Sequence, residues 1–486
     1  MHATVARVLA GWEAGDGPLY RRLASAISGA IADGSLPAGE RLPTERSLAT
    51  PVSVSRATVV AAYDALRDAG WVDRRQGSGT WVRHRGPAEP FGQDRPGVVG
   101  RSSASFRALI EGPTDAIEFT CAATPAPDLL DDALVRDALA GLQVATGDIG
   151  YHAVGHPPLR RALAAHLSSW GLPTSEREVI VTSGAQQAIA LTTELYTRPG
   201  DVVVVEDPTY LSALDRFAAA GVRLATVPVG PRGVRAAELA AAAADRSPRL
   251  MYVIPTFHNP TGTLVPEDER REIARAADAL RVPVVEDLTL ADLSLGTSPP
   301  PPIASFAGDV PVLTIGSLSK LFWGGLRVGF IRGPEPVIQR LARMKLLADH
   351  GSSVVSQVVA TALLGRVEEY RERRQAFARD RYELLAELLR RHLPSWRWRE
   401  PEGGLSLWVE LPGADATAFA DAAARRGVAV VPGPMTSAND AFVDHLRLPF
   451  VLPPAAMEEG VRRLAEAWSS FGAEAPGPER SLRVVV

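Results

Sequence analysis

The sequence predicts two domains of different class on one chain: a small, mostly helical domain ending in a β-hairpin, and a large α/β domain built on a mostly parallel sheet. Three observations carry this. The chain has 486 residues, more than one ordinary domain holds. Residues 12–85 read as short amphipathic helices and a glycine-centred hairpin, and a stretch rich in Pro, Gly, Ser and Arg, residues 86–116, follows as a linker. From 117 to 470 apolar strand-like runs alternate with helical ones, the pattern of a sheet covered by helices, and 471–486 form a tail.

Composition narrows the function classes. Hydrophobic residues make up 46% and charged residues 22%, a balance suited to a soluble, well-packed chain. A net charge of −4 announces no global nucleic-acid binder, so such a partner would have to meet a local basic patch. The single cysteine, Cys121, excludes an internal disulfide and a cysteine-built metal site, which favours a reducing compartment. No apolar run reaches the roughly 18 residues of a membrane span, and no basic-then-apolar leader opens the chain. A cytoplasmic location without a membrane partner is expected.

In the small domain the first helix is expected around Leu19–Ile27, with Leu19, Leu23, Ile27 and Ile31 four apart on one face. Gly34 to Gly39 breaks it. Thr44 can cap a second short helix beginning at Glu45. A third, Val54–Leu66, buries Val59, Ala62, Tyr63 and Leu66 and leaves Arg56, Ala57 and Thr58 at its start. A recognition helix presents that end to the major groove. Trp71-Val72 and Thr80-Trp81-Val82 flank the turn Gln76-Gly77-Ser78-Gly79 as a hairpin. Residues 17–85 hold ten arginines against six acidic residues, +4 within a chain of −4. Arg74 and Arg75 beside the turn are placed to meet phosphates. The duller alternative is a helical interaction domain with a solvated basic face.

Leu42-Pro43-Thr44-Glu45-Arg46, Val54-Ser55-Arg56 and Gly77-Ser78-Gly79-Thr80 resemble, in order and spacing, the winged helix-turn-helix of GntR-type bacterial regulators. The resemblance implies contacts to double-stranded DNA from Arg46, Ser55, Arg56 and Thr58, with a wing around Gly77 and Gly79. Pro51 departs from the family pattern and should end the second helix early.

In the large domain Val179–Thr182, Val202–Glu206, Leu250–Ile254, Val282–Glu286 and Val312–Ile315 read as buried strands. Polar residues cluster at their ends, where ligands bind in such sheets. The most telling stretch is Gly316–Gly329. The chain has 52 Lys+Arg but only two lysines, Lys320 and Lys345, leaving 50 arginines. Arginine cannot serve as an amine nucleophile at ordinary pH; lysine can, and forms Schiff bases with carbonyls such as pyridoxal phosphate. A phosphorylated pyridine cofactor also needs an acid for its ring nitrogen and donors for its phosphate. Asp287 can serve the nitrogen and Asn259 the ring hydroxylate. Arg327, Ser317, Ser319 and the helix start Gly184-Ala185-Gln186 can serve the phosphate. Tyr210 could stack on the ring. Singly, each has an ordinary explanation as a turn, a helix cap or packing.

Together, Ser183–Gln187, Asn259-Pro260-Thr261-Gly262, Asp287, Ser317–Lys320 and Gly325–Gly329 resemble the fold-type I aminotransferases. That fold is an α/β pyridoxal 5'-phosphate-dependent transferase domain with a smaller C-terminal α/β subdomain. The resemblance implies that Lys320 carries the cofactor as an internal aldimine and that Arg447 binds a substrate α-carboxylate. It also implies that Tyr151 reaches the neighbouring subunit's cofactor in a homodimer. Thr289 stands where many relatives carry a tyrosine on the ring hydroxylate. A GntR-type head on such a domain is similar to the MocR-type chimeric regulators. Three functions are therefore weighed: a regulator responding to the cofactor or to a small amine or amino-acid effector, a working aminotransferase with a DNA-binding head, and a regulator whose large domain has lost its cofactor.

Overall fold

The computed structural model describes residue 12 and residues 18–32, 36, 40–68, 71–75, 79–82, 115–123, 125–126, 129–244 and 246–474. Gly77, most of the linker 86–116 and most of the tail 471–486 lie outside the described residues. Two compact units emerge, Met1–Pro96 and Gly97–Val486.

The first unit contains α1 (Leu19–Ala32), α2 (Glu45–Ala49), α3 (Arg56–Asp68), β1 (Val72–Arg75) and β2 (Gly79–Val82). Leu23, Ile27, Val59, Ala62, Tyr63 and Leu66 form its core. Leu19, expected on that face, begins the helix and is 43% exposed, because the first turn overhangs the core. The second helix stops at Ala49, as Pro51 implies. The third starts at Arg56 rather than Val54, because Ser55 caps it: its Oγ accepts from Thr58 N at 3.1 Å. The hairpin is antiparallel, Val72 opposite Val82, and Leu42 N donates to Thr80 O at 2.9 Å to tie it to the preceding loop.

The second unit has two sheets. It opens with β3 (Ile117–Phe119), α4 (Asp132–Ala145) and α5 (Pro157–Ser169). A strand–helix alternation follows: β4 (Val179–Thr182), α6 (Ala185–Tyr196), β5 (Val202–Asp207), α7 (Leu211–Ala219), β6 (Arg223–Pro228), α8 (Ala236–Ala244), β7 (Leu250–Val253), α9 (Glu267–Leu280), β8 (Val284–Asp287), β9 (Val312–Ser317) and β10 (Gly329–Arg332). Its seven strands lie in the order β4-β10-β9-β8-β7-β5-β6, parallel except for β10. Alternate residues face opposite layers: Val204, Met251 and Val284 pack into one core, and Val205, Tyr252 and Val285 into the other. Helices then carry the chain away as α10 (Glu335–Asp349), α11 (Val354–Leu364) and α12 (Val367–His392).

The smaller sheet uses β11 (Arg397–Trp398), β12 (Ser406–Glu410), β13 (Val428–Pro432) and β14 (His445–Pro449), with α13 (Ala416–Ala424) and α14 (Pro454–Glu474) covering it. Its fifth strand is β3, which pairs parallel with β13 (Ile117 opposite Val428), so the smaller subdomain is not purely C-terminal. That pairing carries residues 120–122 to the edge of the larger sheet's ligand-bearing end.

Candidate functional site

One pocket in the second unit gathers Gly184, Ala185, Gln186, Tyr210, Asn259, Asp287, Ser317, Ser319, Lys320, Arg327 and Arg447. These include all the residues that the sequence nominates for cofactor or carboxylate except Tyr151. Tyr151 stands outside it, 74% exposed, with its ring 6.2 Å from that of His350.

The acid end is prepared by its neighbours. Asp287 closes β8 and is buried; its Oδ2 accepts from the Tyr252 hydroxyl at 2.7 Å and its Oδ1 from Thr289 N at 2.9 Å. Burial pushes its carboxyl above the ordinary range, against the pull of those hydrogen bonds. A cation at the open side of the carboxylate would favour its ionised form. Burial, followed by the charge of Asp287, drives the Tyr252 phenol well above its ordinary value, so the phenol remains the donor.

Lys320 follows β9, and its Nζ donates to Ala122 O at 2.8 Å. Burial lowers its pKa; Cys121 opposes that shift and Arg447 adds to it. A desolvated amine with a depressed pKa is a better nucleophile at working pH. Arg447, on β14, is 4% exposed. Its Nη1 donates to Thr120 O at 3.2 Å, while its Nε is buried with no hydrogen-bond partner among the described residues. Burial lowers its pKa too. A buried guanidinium with an unassigned donor suits an anion.

The opposite end is a tight cradle. Gly184, at φ +109°, is the N-cap of α6; a Cβ there would come within 3.3 Å of the Arg327 guanidinium. A Cβ on Gly329 would stand 2.6 Å from the Gly184 carbonyl carbon, so the two glycines permit β10 to approach the turn. Arg327 Nη2 donates to Ser183 O at 2.6 Å. Ser319 N donates to Ser317 Oγ at 3.2 Å, and Ser319 Oγ is buried with no partner among the described residues. The first amides of α6 have no intrahelical acceptor and favour an anion. Gln186 Nε2 donates to the Tyr210 hydroxyl at 2.9 Å, fixing that ring at the pocket wall.

An amine, a buried acid, an anion cradle and a stray guanidinium donor form the set that a phosphorylated pyridine aldehyde and a carboxylated amine require. The remaining lining is Cys121, Ala122, Ile254, Thr289, Leu290, Leu405 and Ser406, which carries no fixed charge.

Sequence reading missed three supporting residues. Tyr252 had one signal, a tyrosine within an aliphatic strand. Gln187 sits inside a quoted motif, but its role needed geometry. Arg270 gave no signal among the charges of α9. It is fully buried, donating to the carbonyls of Val265, Pro255, Pro300 and Pro301 and to Thr256 Oγ1 at 2.7–3.2 Å. Those contacts brace both ends of the loop bearing Asn259.

In the first unit, Arg46 and Arg56 are exposed and Thr58 is half-buried at the start of α3. Ser55 is engaged by its own helix, its Oγ 2.9 Å from Thr58 Oγ1. Gly79 is at φ +102°, and a Cβ there would come within 2.8 Å of Arg41 Nε. The position thus serves hairpin geometry.

Two family models match different stretches of the chain, one on each side of the boundary between the units. Residues 143–464 match the aminotransferase class I and II family, and residues 19–82 match the gntR family of bacterial regulatory proteins. One relative aligns across both parts. The uncharacterized HTH-type transcriptional regulator YisV of Bacillus subtilis is 30% identical over 93% of this chain and 96% of its own length. The probable rhizopine catabolism regulatory protein MocR of Rhizobium meliloti is 28% identical over 78% of this chain and 79% of its own. The chain belongs to the MocR-type regulators. Its second unit is similar to solved aminotransferases. One is LysN, the α-aminoadipate aminotransferase of Thermus thermophilus, complexed with N-(5'-phosphopyridoxyl)-L-leucine; its TM-score is 0.69 at 29% identity over 78% of this chain and 98% of LysN. Another is the kynurenine aminotransferase of Pyrococcus horikoshii, with TM-score 0.69 and 29% identity over 76% of this chain and 95% of that one. A MocR-type regulator is thus a DNA-binding head fused to an aminotransferase-class domain, here with no helix among the described residues long and apolar enough to cross a membrane.

Proposed function

We propose that this MocR-type regulator holds pyridoxal 5'-phosphate through Lys320 and changes its grip on DNA in response to the cofactor or to an amine or amino acid drawn to the same pocket. The observation that carries the reading is the convergence of Lys320, Asp287 and Arg447, with its orphan Nε, on one pocket. When bound, the cofactor supplies an aldehyde that exchanges between amines and an electron-withdrawing ring. Lys320 holds the aldehyde, Asp287 the ring nitrogen, and Asn259 the ring hydroxylate. Tyr210 covers the ring. Gly184, Ala185, Gln186, Ser317, Ser319 and Arg327 hold the phosphate.

Arg447 takes the effector's carboxylate, and the uncharged lining beside it favours an amino acid with a neutral side chain. An amine that took the cofactor's aldehyde would leave Lys320 Nζ free, and its carboxylate would meet Arg447. That differential contact can bias two arrangements of the protein. Arg46, Arg56 and Thr58 meet DNA with the Gly77–Gly79 wing. Tyr151 serves a second copy in a homodimer; the high exposure of Ile149, Tyr151 and Leu347, large apolar side chains, supports such a cover. A cytoplasmic site of action follows from the DNA partner.

The test pairs DNA footprinting upstream of the gene with visible absorption, with and without pyridoxal 5'-phosphate and candidate amines. Wild type should colour and Lys320→Ala should not. A wild-type protein that stays colourless after incubation with the cofactor sinks the reading.

A second reading, a working aminotransferase, is favoured by the presence of amine, acid and carboxylate receptor together. Steady conversion of an L-amino acid to its 2-oxo acid, at about 1 s⁻¹ or faster, would establish it.

A further inference from the structure

Lys345 is the chain's other lysine, and no role above absorbs it. It lies on α10, is 0% exposed, and meets a single anion: its Nζ donates to Asp349 Oδ1 at 2.6 Å and Oδ2 at 2.7 Å. Asp349 is also held by others. Gly351 N donates to its Oδ1 at 2.9 Å, and Gln187 Nε2 to its Oδ2 at 2.8 Å. Burial pushes the Asp349 carboxyl up, but the hydrogen bonds of Lys345 and Gln187 outweigh it and hold it below the usual range.

The chain of contacts continues to the cradle. The other end of the Gln187 amide, Oε1, accepts from Ser183 N at 2.9 Å. On the carbonyl side of the same residue, Ser183 O accepts from Arg327 Nη2 at 2.6 Å. Ser183 is therefore gripped at both of its backbone polar groups immediately before Gly184. Gly184 is the residue whose left-handed φ of +109° aims the first amides of α6 into the pocket. Asp349 also orders the amide of Gln187. The carboxylate can only accept, so it selects the NH₂ end and leaves Oε1 for Ser183. Lysine suits the first link better than arginine, because a compact ammonium can lie between two carboxylate oxygens where a planar fork needs more room.

We infer that Lys345 is a positioning residue for an anion in the cradle: through Asp349 and Gln187 it fixes the Ser183–Gly184 peptide and the direction of the α6 amides and Arg327. This rests on the proposal that the pocket takes pyridoxal 5'-phosphate, and it concerns only the phosphate end. It makes a distinction that general loss of packing would not. A loosened cradle weakens a ligand with a phosphate and spares one without it, since the aldehyde and ring groups are served by Lys320, Asp287 and Asn259.

The test measures the affinity of the full chain for pyridoxal 5'-phosphate and for pyridoxal by visible absorption, in wild type, Lys345→Met, Gln187→Leu and Lys345→Arg. Lys345→Met and Gln187→Leu should each bind pyridoxal 5'-phosphate at least about tenfold more weakly while pyridoxal changes less than about twofold. Lys345→Arg should recover part of the loss. Gln187→Leu removes the relay without unpairing a buried charge, so it tests the inference even if Lys345→Met does not fold. Equal losses for both ligands, or an unchanged affinity ratio in Gln187→Leu, would overturn the positioning role while leaving the cofactor reading intact. Wild type that takes up neither ligand would overturn both.

Discussion

Tyr252 and Asp287 sit on neighbouring parallel strands, and the phenol donates to Asp287 Oδ2 at 2.7 Å. The carboxylate that faces the pocket is thus oriented from behind by a group that does not itself line the cavity. Tyr252→Phe should keep the fold and remove that orientation. A hydrogen bond to a charged group contributes about 1.5–3 kcal/mol, so the cofactor should bind roughly tenfold or more weakly. Titration by visible absorption checks this, and unchanged binding would refute the role.

Asp292, in a loop, ties two helices together. Its Oδ2 lies 3.2 Å from His166 Nε2 on α5, and its Oδ1 accepts from Arg371 Nε on α12 at 2.8 Å. Burial pushes its carboxyl up, but His166 and Arg371 outweigh burial and hold it below the ordinary value. The sign follows: the unfolded carboxylate takes up a proton first as pH falls. The pair's stabilisation is therefore complete above an unfolded pKa of about 3.9 and is lost as pH drops below it. Asp292→Asn should cost about 1–3 kcal/mol near neutral pH, because the half-buried Arg371 loses one of its two carboxylate partners and keeps only Glu368. It should also flatten the acid limb of the melting-temperature profile below about pH 4.

Arg270 braces the Asn259 loop through five hydrogen bonds. Burial pulls its guanidinium down to about 10, still high enough to keep it charged. Arg270→Met fills a similar volume but strands those acceptors. A loss of about 3 kcal/mol or more in urea unfolding is expected, since each unsatisfied buried group costs about 1–3 kcal/mol. Parity with wild type would mean water replaces the guanidinium.

Ser55 and Arg56 are adjacent but should fail differently. Ser55→Ala removes an N-cap and should destabilise the first unit by about 1 kcal/mol, read from its melting temperature. Arg56→Ala should leave stability unchanged and weaken operator binding by about 1–3 kcal/mol. Binding isotherms at fixed salt, alongside an unaltered cofactor spectrum, separate the two.

The larger sheet is legible in the sequence because its strands are aliphatic runs interrupted at one end by polar residues, and Asp287, Lys320 and Arg327 stand out against that background. The run Val179–Thr182 coincides with its strand, and the others fall within one or two residues of theirs. Helix starts are less legible: Val54 looks helical by period, yet Ser55 can cap only if Arg56 comes first. The pairing of Ile117 with Val428 is hidden because nothing in a three-residue strand names a partner some three hundred residues away. Tyr252, Gln187 and Arg270 are hidden for a related reason. Their roles depend on which acceptor the tertiary structure brings within hydrogen-bond reach, and side-chain type does not encode that.

The scarcity of lysine has a practical corollary. Pyridoxal 5'-phosphate reacts with accessible lysine amines on almost any protein, and such adducts complicate attribution of colour to a single site. Here there are two lysine side chains, and Lys345 is sealed at 0% exposure against Asp349. Borohydride trapping followed by peptide mapping therefore has one open lysine target, Lys320. The chain carries its own internal control for specific attachment, and no surface lysines need to be mutated before the experiment is read.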